Sequence, residues 1–195
     1  DTDINTLVIP ESVDSFGSDT IENPDEILWM DDIKAILSGE KEGQVADNRG
    51  EDEWNGEYSG YSYHDLAGHL DGAVWCLQGD EENGTYFYNV DNTPRTQTEL
   101  KDYMESNGVD TSKTVAFYCG DSWGAAMIAY WCQSVDLNNI KEWGNGWIPW
   151  SNEGNEFIDH NGKTVHYDKY RDAVLDEDGN DVSDGTNILA DEKKE

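Results

Sequence analysis

One cysteine in this chain stands where a nucleophile could be held. In "VAFYCGDSWGAAMIAYW", residues 115–131, four hydrophobic residues precede Cys119, a short glycine-bounded loop follows, and a second apolar run continues. A cysteine between a strand and a helix faces unpaired amides and the positive end of the helix dipole, which favour a thiolate or a bound anion. The alternative is a small buried hydrophobic side chain, the commoner role of a lone cysteine that ends an apolar strand.

The segments that must position Cys119 alternate between apolar strands and helical patterns. Predicted strands are QVADNR, GAVWCL, TVAFYC and NIKEW, and predicted helices are QTELKDYMESNG and GAAMIAYWCQSV. A further helix is predicted in NPDEILWMDDIKAILSG, where these apolar residues recur near helical spacing before Gly39: Ile27, Leu28, Ile33, Ile36 and Leu37. Strands that are apolar on successive residues indicate a parallel sheet buried on both faces. We therefore predict an α/β fold with a mostly parallel central sheet, in which ligands bind at the carboxyl ends of the strands.

The composition excludes several classes of partner. The net charge is −31, from 43 acidic and 12 basic residues, which argues against binding to nucleic acid or to an anionic membrane. No apolar run approaches the roughly 18 residues of a membrane span. The three cysteines, Cys76, Cys119 and Cys132, are too few for a disulfide scaffold, and no Cys-x-x-Cys pair suggests zinc. Acidity and the lack of an initiating Met slightly favour an exported bacterial protein over a cytoplasmic one.

Charge also divides the chain into three parts. Residues 1–29 form an acidic leader or interdomain connection, since the first 33 residues hold ten acids and no Lys or Arg, with "TLVIP" as a possible strand. Residues 30–152 carry the alternating pattern of the predicted α/β domain. Residues 153–195 are an acidic extension whose Asp-Gly and Asn-Gly turns indicate hairpins or surface loops.

Four separated segments occur in the order found in one known family. They are VADNRGEDEWNGEYSGY with an Asp-x-Arg strand end, GHLDGAVW with a Gly-His turn, TVAFYCGDSWGAA with the cysteine loop, and WGNGWIPWSN after the last strand. Together they resemble the rhodanese family of sulfurtransferases, and they are most similar to the catalytic domain of multi-domain bacterial thiosulfate sulfurtransferases. The resemblance covers roughly residues 30–152 and implies a three-layer fold with helices on both faces of the sheet.

The resemblance also implies a set of site residues. Cys119 would attack the outer sulfur of a donor such as thiosulfate and pass it, as a persulfide, to a thiophilic acceptor. Backbone amides of the loop would hold the persulfide anion, the loop residues being Gly120, Asp121, Ser122, Trp123 and Gly124. Arg49 would bind an anionic donor at the pocket mouth, unless it pairs with an acid in the neighbouring segment Glu51, Asp52 and Glu53. No cofactor or metal is implied. The expected partners are a small-molecule donor and acceptor, and other domains of a longer chain.

The cysteine loop departs from the family pattern. Close relatives have Cys-Gly-Thr-Gly-Trp-Arg, whereas this chain has CGDSWG, so that Asp121 replaces a neutral residue, Ser122 a glycine and Gly124 the arginine. Glycine at position 124 removes a guanidinium group that could bind an anionic donor. The carboxylate of Asp121 lies close enough to Cys119 in sequence to disfavour its thiolate form. Two hypotheses follow: a sulfurtransferase that attacks thiosulfate slowly, or a rhodanese-fold binding or sulfur-sensing module.

Other candidate residues have simpler explanations. Cys76 ends a predicted strand and could act as a resolving thiol, whereas Cys132 lies within an apolar helix and is expected to be buried and inert. Trp123 either walls the pocket or packs, and His69 fits a structural turn. The segment "DEDGND", residues 176–181, has oxygen ligands at alternate positions that invite a calcium interpretation, but a hairpin turn explains it better.

Overall fold

The computed structural model describes residue 20, residues 23–80 and residues 84–183. The strand predicted in "TLVIP" lies outside these residues. In the part of the chain that is described, no helix combines the length and the apolar character needed to cross a bilayer.

The described helices and strands are interspersed along the first two thirds of the chain, and strands dominate the last part. The helices are α1 (Met30–Leu37), α2 (Glu51–Trp54), α3 (Gln97–Ser106), α4 (Trp123–Gln133) and α5 (Trp147–Asn152). The strands are β1 (Ile27–Leu28), β2 (Gln44–Asp47), β3 (Val74–Trp75), β4 (Gly79–Asp80), β5 (Gly84–Thr85), β6 (Val115–Tyr118), β7 (Ile140–Trp143), β8 (Phe157–Ile158), β9 (Thr164–Asp168) and β10 (Ala173–Asp176).

A five-stranded parallel sheet forms the centre of the fold, in the order β1-β7-β6-β2-β3. Alternate residues of β6 face opposite sides: Val115 and Phe117 join a hydrophobic cluster with α3 and α4, while Ala116 and Tyr118 join a second cluster with α1 and α5. Both faces of the sheet are therefore covered. This confirms the predicted three-layer α/β fold, because strands apolar on successive residues need an apolar partner on each side.

The prediction that Ile27 and Leu28 belong to the helix in NPDEILWMDDIKAILSG is wrong, and only a short 3-10 helix, Pro24–Glu26, precedes them. They form the edge strand β1, paired in parallel with Glu142 and Trp143 of β7, and α1 begins only at Met30. Strand pairing satisfies the backbone groups here and buries Leu28, a tertiary contact that the spacing of apolar residues cannot report.

The last described segment forms a small antiparallel sheet in the order β10-β9-β8. Its apolar residues Phe157, Val165 and Val174 join the cluster of α1 and α5. Residues 176–181 follow as a turn, in which the Asp176 carboxylate accepts hydrogen bonds from the amides of Asp178 and Asn180.

Candidate active site

Cys119 lies at the carboxyl end of β6, the middle strand of the parallel sheet. Its side chain is 8% exposed and lines a cavity of about 220 Å³. The chain enters α4 four residues later, so the first-turn amides of that helix, which have no intrahelical partner, follow directly on the sulfur. Three of the predicted loop residues line the same cavity: Asp121, Trp123 and Gly124.

The backbone of the cysteine loop is held at Ser122. This residue has a positive φ of 76°, and its hydroxyl donates to the carbonyl of Trp143 at 2.5 Å. The carbonyls of Cys119 and Gly120 accept hydrogen bonds from the amides of Trp147 and Ile148 at the start of α5. The replacement of the family glycine by Ser122 therefore ties the loop to β7, since the serine supplies a bond that glycine lacks.

Tyr61 is a cavity residue that none of the sequence motifs singles out. The Gly120 amide donates to its hydroxyl oxygen at 2.9 Å, and a Cβ at position 120 would lie 2.0 Å from its ring. Burial, and then the charge of Glu53, raise the pKa of Tyr61 well above its ordinary value, so the phenol keeps its proton. Because the oxygen already accepts from Gly120, the O–H remains a donor beside Cys119. No signal in the sequence pairs Tyr61 with the cysteine loop.

Arg49 lines the cavity but is only 3% exposed. Its Nε and Nη2 bond both carboxylate oxygens of Asp47 at 2.6–3.1 Å, and Nη2 also donates to the carbonyl of Gly68 at 2.7 Å. The guanidinium lies 4.7 Å from the ring centroid of Trp147. The predicted alternative of an ion pair within residues 51–53 is thus wrong, because Asp47 takes the guanidinium. Arg49 Nη1 has no hydrogen-bond partner among the described residues.

The space beside Gly124, where the family resemblance led us to expect an arginine, is occupied. A Cβ at this position would lie 2.2 Å from Gln78 Oε1 and 2.8 Å from Asn48 Nδ2. These two amides bond each other at 3.0 Å, Asn48 being the donor. A pair of neutral amides, from the loop after β2 and the segment after β3, therefore fills the place expected for the arginine.

The carboxylate of Glu53 reaches the cavity from α2. Its Oε2 accepts the amide of Gly50 at 3.0 Å, and a Cβ on Gly60 would lie 2.3 Å from its Oε1, which explains a glycine there. Burial raises the pKa of Glu53. Among the described residues of the cavity, Arg49 is the only cation, against the two acids Glu53 and Asp121.

Neither of the other two thiols lines the cavity. Cys76 and Cys132 are fully buried in the cluster of α3 and α4, and burial raises the pKa of each thiol to about 12. Burial outside the cavity argues against the interpretation of Cys76 as a resolving thiol. His69, the residue of the Gly-His turn, stacks on Trp54 at 3.7 Å. Within the described ranges, no group of three or more His, Cys, Asp or Glu side chains could hold a metal ion.

The part of the chain that contains the cysteine loop and the parallel sheet matches a known protein family. A family model described as "Rhodanese-like domain" matches residues 30–153. The chain belongs to the rhodanese-like domain family. A search of curated proteins found no significant match.

Several solved structures share this rhodanese-like fold. One is a Thr-to-Ala variant of EanB in complex with hercynine, at 27% identity and a TM-score of 0.67, covering 77% of this chain and 35% of that one. Another is a Tyr-to-Phe variant of EanB with a cysteine persulfide, in a tetrahedral intermediate state with ergothioneine, at 26% identity and a TM-score of 0.66, covering 75% and 34%.

A third is the anaerobic ergothioneine biosynthesis enzyme from Chlorobium limicola in complex with trimethyl histidine, at 28% identity and a TM-score of 0.64, covering 73% and 33%. The rhodanese-like chain spans about a third of the length of these relatives.

Proposed function

We propose that this chain is a sulfurtransferase domain in which Cys119 carries sulfur as a persulfide. The observation that carries the proposal is the position of Cys119: it ends the middle strand of the sheet, lines a cavity and directly precedes the amino terminus of α4. The cysteine persulfide of an EanB variant with the same fold supports this assignment.

The proposed reaction has two steps. In the first, the Cys119 thiolate attacks the outer sulfur of a sulfane donor, the donor's S–S bond breaks, and the leaving group departs with the electron pair. In the second, a thiophilic acceptor attacks the outer sulfur of the persulfide and restores the thiolate. With thiosulfate as donor and cyanide as acceptor, the products are sulfite and thiocyanate. Each step forms one bond to sulfur and breaks one, as covalent catalysis requires.

Neighbouring groups would stabilise the anionic sulfur. The amino terminus of α4 supplies a favourable dipole, and the Tyr61 hydroxyl, which accepts from Gly120, can donate its own proton to the persulfide. In this proposal Arg49 is a positioning residue, because its guanidinium is committed to Asp47 and packs on Trp147. The partners are a small-molecule donor and acceptor, together with the rest of a longer protein.

The assay is single-turnover persulfide formation. The protein is incubated with thiosulfate, mercaptopyruvate or an organic persulfide, its intact mass is measured, and cyanide is added to release thiocyanate. We expect the mass gain of one sulfur atom and a matching yield of thiocyanate. Cys119→Ser should lose both, whereas Cys132→Ala, which removes a thiol outside the cavity, should keep both. The absence of an adduct with every donor would refute the proposal.

A second candidate is a rhodanese-fold binding or sulfur-sensing module. It is favoured by the amide pair of Gln78 and Asn48 beside Gly124, which replaces a cation suited to anionic substrates. This candidate predicts a persulfide on Cys119 that forms once and is passed to no acceptor in repeated turnover. Steady-state thiocyanate production beyond one equivalent would exclude it.

A further inference from the structure

A second cavity extends the one that contains Cys119. It measures about 580 Å³ and shares with the first cavity the residues Gly50, Glu53, Gln78 and Gly79. Beyond this shared wall it is lined by Asp80, Thr85, Tyr88 and Met127. A molecule whose reacting sulfur meets Cys119 therefore has room for its remaining part on the far side of Glu53.

The charged groups along the two cavities are mostly acidic. Among the described residues that line them, the acids are Glu53, Asp80 and Asp121, and the only cation is Arg49. Arg49 is neutralised at close range by Asp47. Arg95 donates to the carbonyl of Thr85 but lines neither cavity.

A buried acceptor adds a second, independent observation. The Asn48 side chain is fully buried and lines the Cys119 cavity, and its Oδ1 has no hydrogen-bond partner in the described part of the chain. A buried carbonyl oxygen without a donor costs free energy that a bound N–H group would recover. The Cys119 cavity thus holds an unused acceptor at Asn48 and an unused donor at Arg49 Nη1, and neither residue lines the second cavity. Because Asn48 bonds Gln78 on the shared wall, its free oxygen suits an N–H group that lies beside this wall, while Glu53 and Asp80 suit positive charge in the second cavity.

We propose that the second cavity holds the carrier portion of the sulfur donor, and that this carrier is cationic. The donor class is an organic persulfide, R–S–SH, whose R group bears an ammonium. This inference rests on the proposed function. The Cys119 thiolate attacks the outer sulfur, the S–S bond of the donor breaks, the thiolate R–S⁻ leaves with the electron pair, and the outer sulfur keeps its proton as Cys119–S–SH. The acids that line the two cavities attract the ammonium and repel a dianion such as thiosulfate.

Three persulfides of similar size separate charge from shape. They are those of cysteamine, 2-mercaptoethanol and 3-mercaptopropionate, with a cationic, a neutral and an anionic R group. The single-turnover rate of sulfur transfer to Cys119 is measured for each at low ionic strength and divided by the rate of the same persulfide with a neutral thiol in solution, because the leaving thiols differ in pKa. We expect the cationic donor to react fastest and the anionic one slowest, with about a three- to tenfold difference at each step for charges several ångströms from the acids. Added salt should compress the series.

Charge-neutral variants of the two acids that line the second cavity test whether the ammonium binds there. Glu53→Gln and Asp80→Asn should each reduce the preference for the cationic donor several-fold, while Asp31→Asn, an exposed acid on α1 outside both cavities, should leave it unchanged. Equal rates for the three donors at low salt would overturn the inference. A preference for the cationic donor that is unaltered in both Glu53→Gln and Asp80→Asn would overturn it as well. Persulfide formation with equal rates still supports the sulfurtransferase function, whereas no adduct from any donor refutes that function itself.

Discussion

Replacing Arg49 with methionine should lower the free energy of unfolding by about 3–5 kcal/mol, the usual cost of removing one partner of a buried ion pair. The substitution leaves Asp47, fully buried, without its cation, and it removes the bond to the Gly68 carbonyl at 2.7 Å. It also removes the contact with Trp147 at 4.7 Å, although methionine retains part of the packing. For a chain of this length each kcal/mol corresponds to roughly 2–4 °C in Tm.

Urea unfolding followed by tryptophan fluorescence and thermal unfolding followed by circular dichroism measure this loss. Arg171→Met is the matched control, because Arg171 pairs with Asp168 at 3.5 Å on an exposed surface. A pair of that kind contributes about 0–1 kcal/mol. The double variant Asp47→Asn with Arg49→Met should recover part of the loss, since it also removes the buried charge.

The outcome distinguishes a positioning role of Arg49 from direct donor binding. A variant that unfolds within 1 kcal/mol of the parent protein, while its KM for thiosulfate rises steeply and kcat is unchanged, would refute the reasoning. Such a result would mean that Nη1, which lacks a hydrogen-bond partner among the described residues, binds the donor. We expect the opposite pattern: a large loss of stability, and a loss of activity that follows the fraction of folded protein.

Three further predictions concern the cavity and one titratable group. Tyr61→Phe should slow persulfide formation about tenfold or more, because it removes a preorganised hydrogen-bond donor. Tyr61→Leu should form the persulfide no faster than Tyr61→Phe. An unchanged rate in single-turnover assays would exclude the hydroxyl from the reaction. Gly124→Arg should reduce stability, because its Cβ would lie 2.2 Å from Gln78 and 2.8 Å from the Asn48 amide. Gly124→Arg combined with Gln78→Gly and Asn48→Gly removes both overlaps, and this variant should react faster with thiosulfate than the matched variant that keeps Gly124. Burial lowers the pKa of His64 to about 4 from 6.5, so the unfolded chain binds more protons between these values and stability decreases as the pH falls through them. The expected loss is about 2–3 kcal/mol in denaturant unfolding at pH 4 relative to pH 7, and His64→Phe should remove this part of the pH dependence; identical pH profiles for both proteins would show that His64 does not contribute.

Local patterns in the sequence were enough to predict the parallel sheet and the position of Cys119. The run "TVAFYC" is apolar on successive residues, and the helical spacing resumes four residues later, so a strand-to-helix turn at the cysteine needs no tertiary information. The family resemblance added the Asp-x-Arg strand end, and the structure shows that Asp47 binds Arg49 there. These features could be predicted because each depends on residues close together along the chain.

What surrounds the sulfur was decided by the tertiary structure alone. Tyr61 contacts Gly120 although 59 positions of sequence separate them. Gln78 occupies the space beside Gly124, and these two residues are also far apart in the sequence. The edge strand β1 likewise exists because Leu28 pairs with β7, although its spacing resembles that of the helix that follows. Contacts of this kind follow no period in the sequence, since they depend on which strands become neighbours in the sheet. The chain therefore shows by its own pattern where the thiol lies, whereas the charge and hydrogen bonding that this thiol experiences arise only when distant segments pack together.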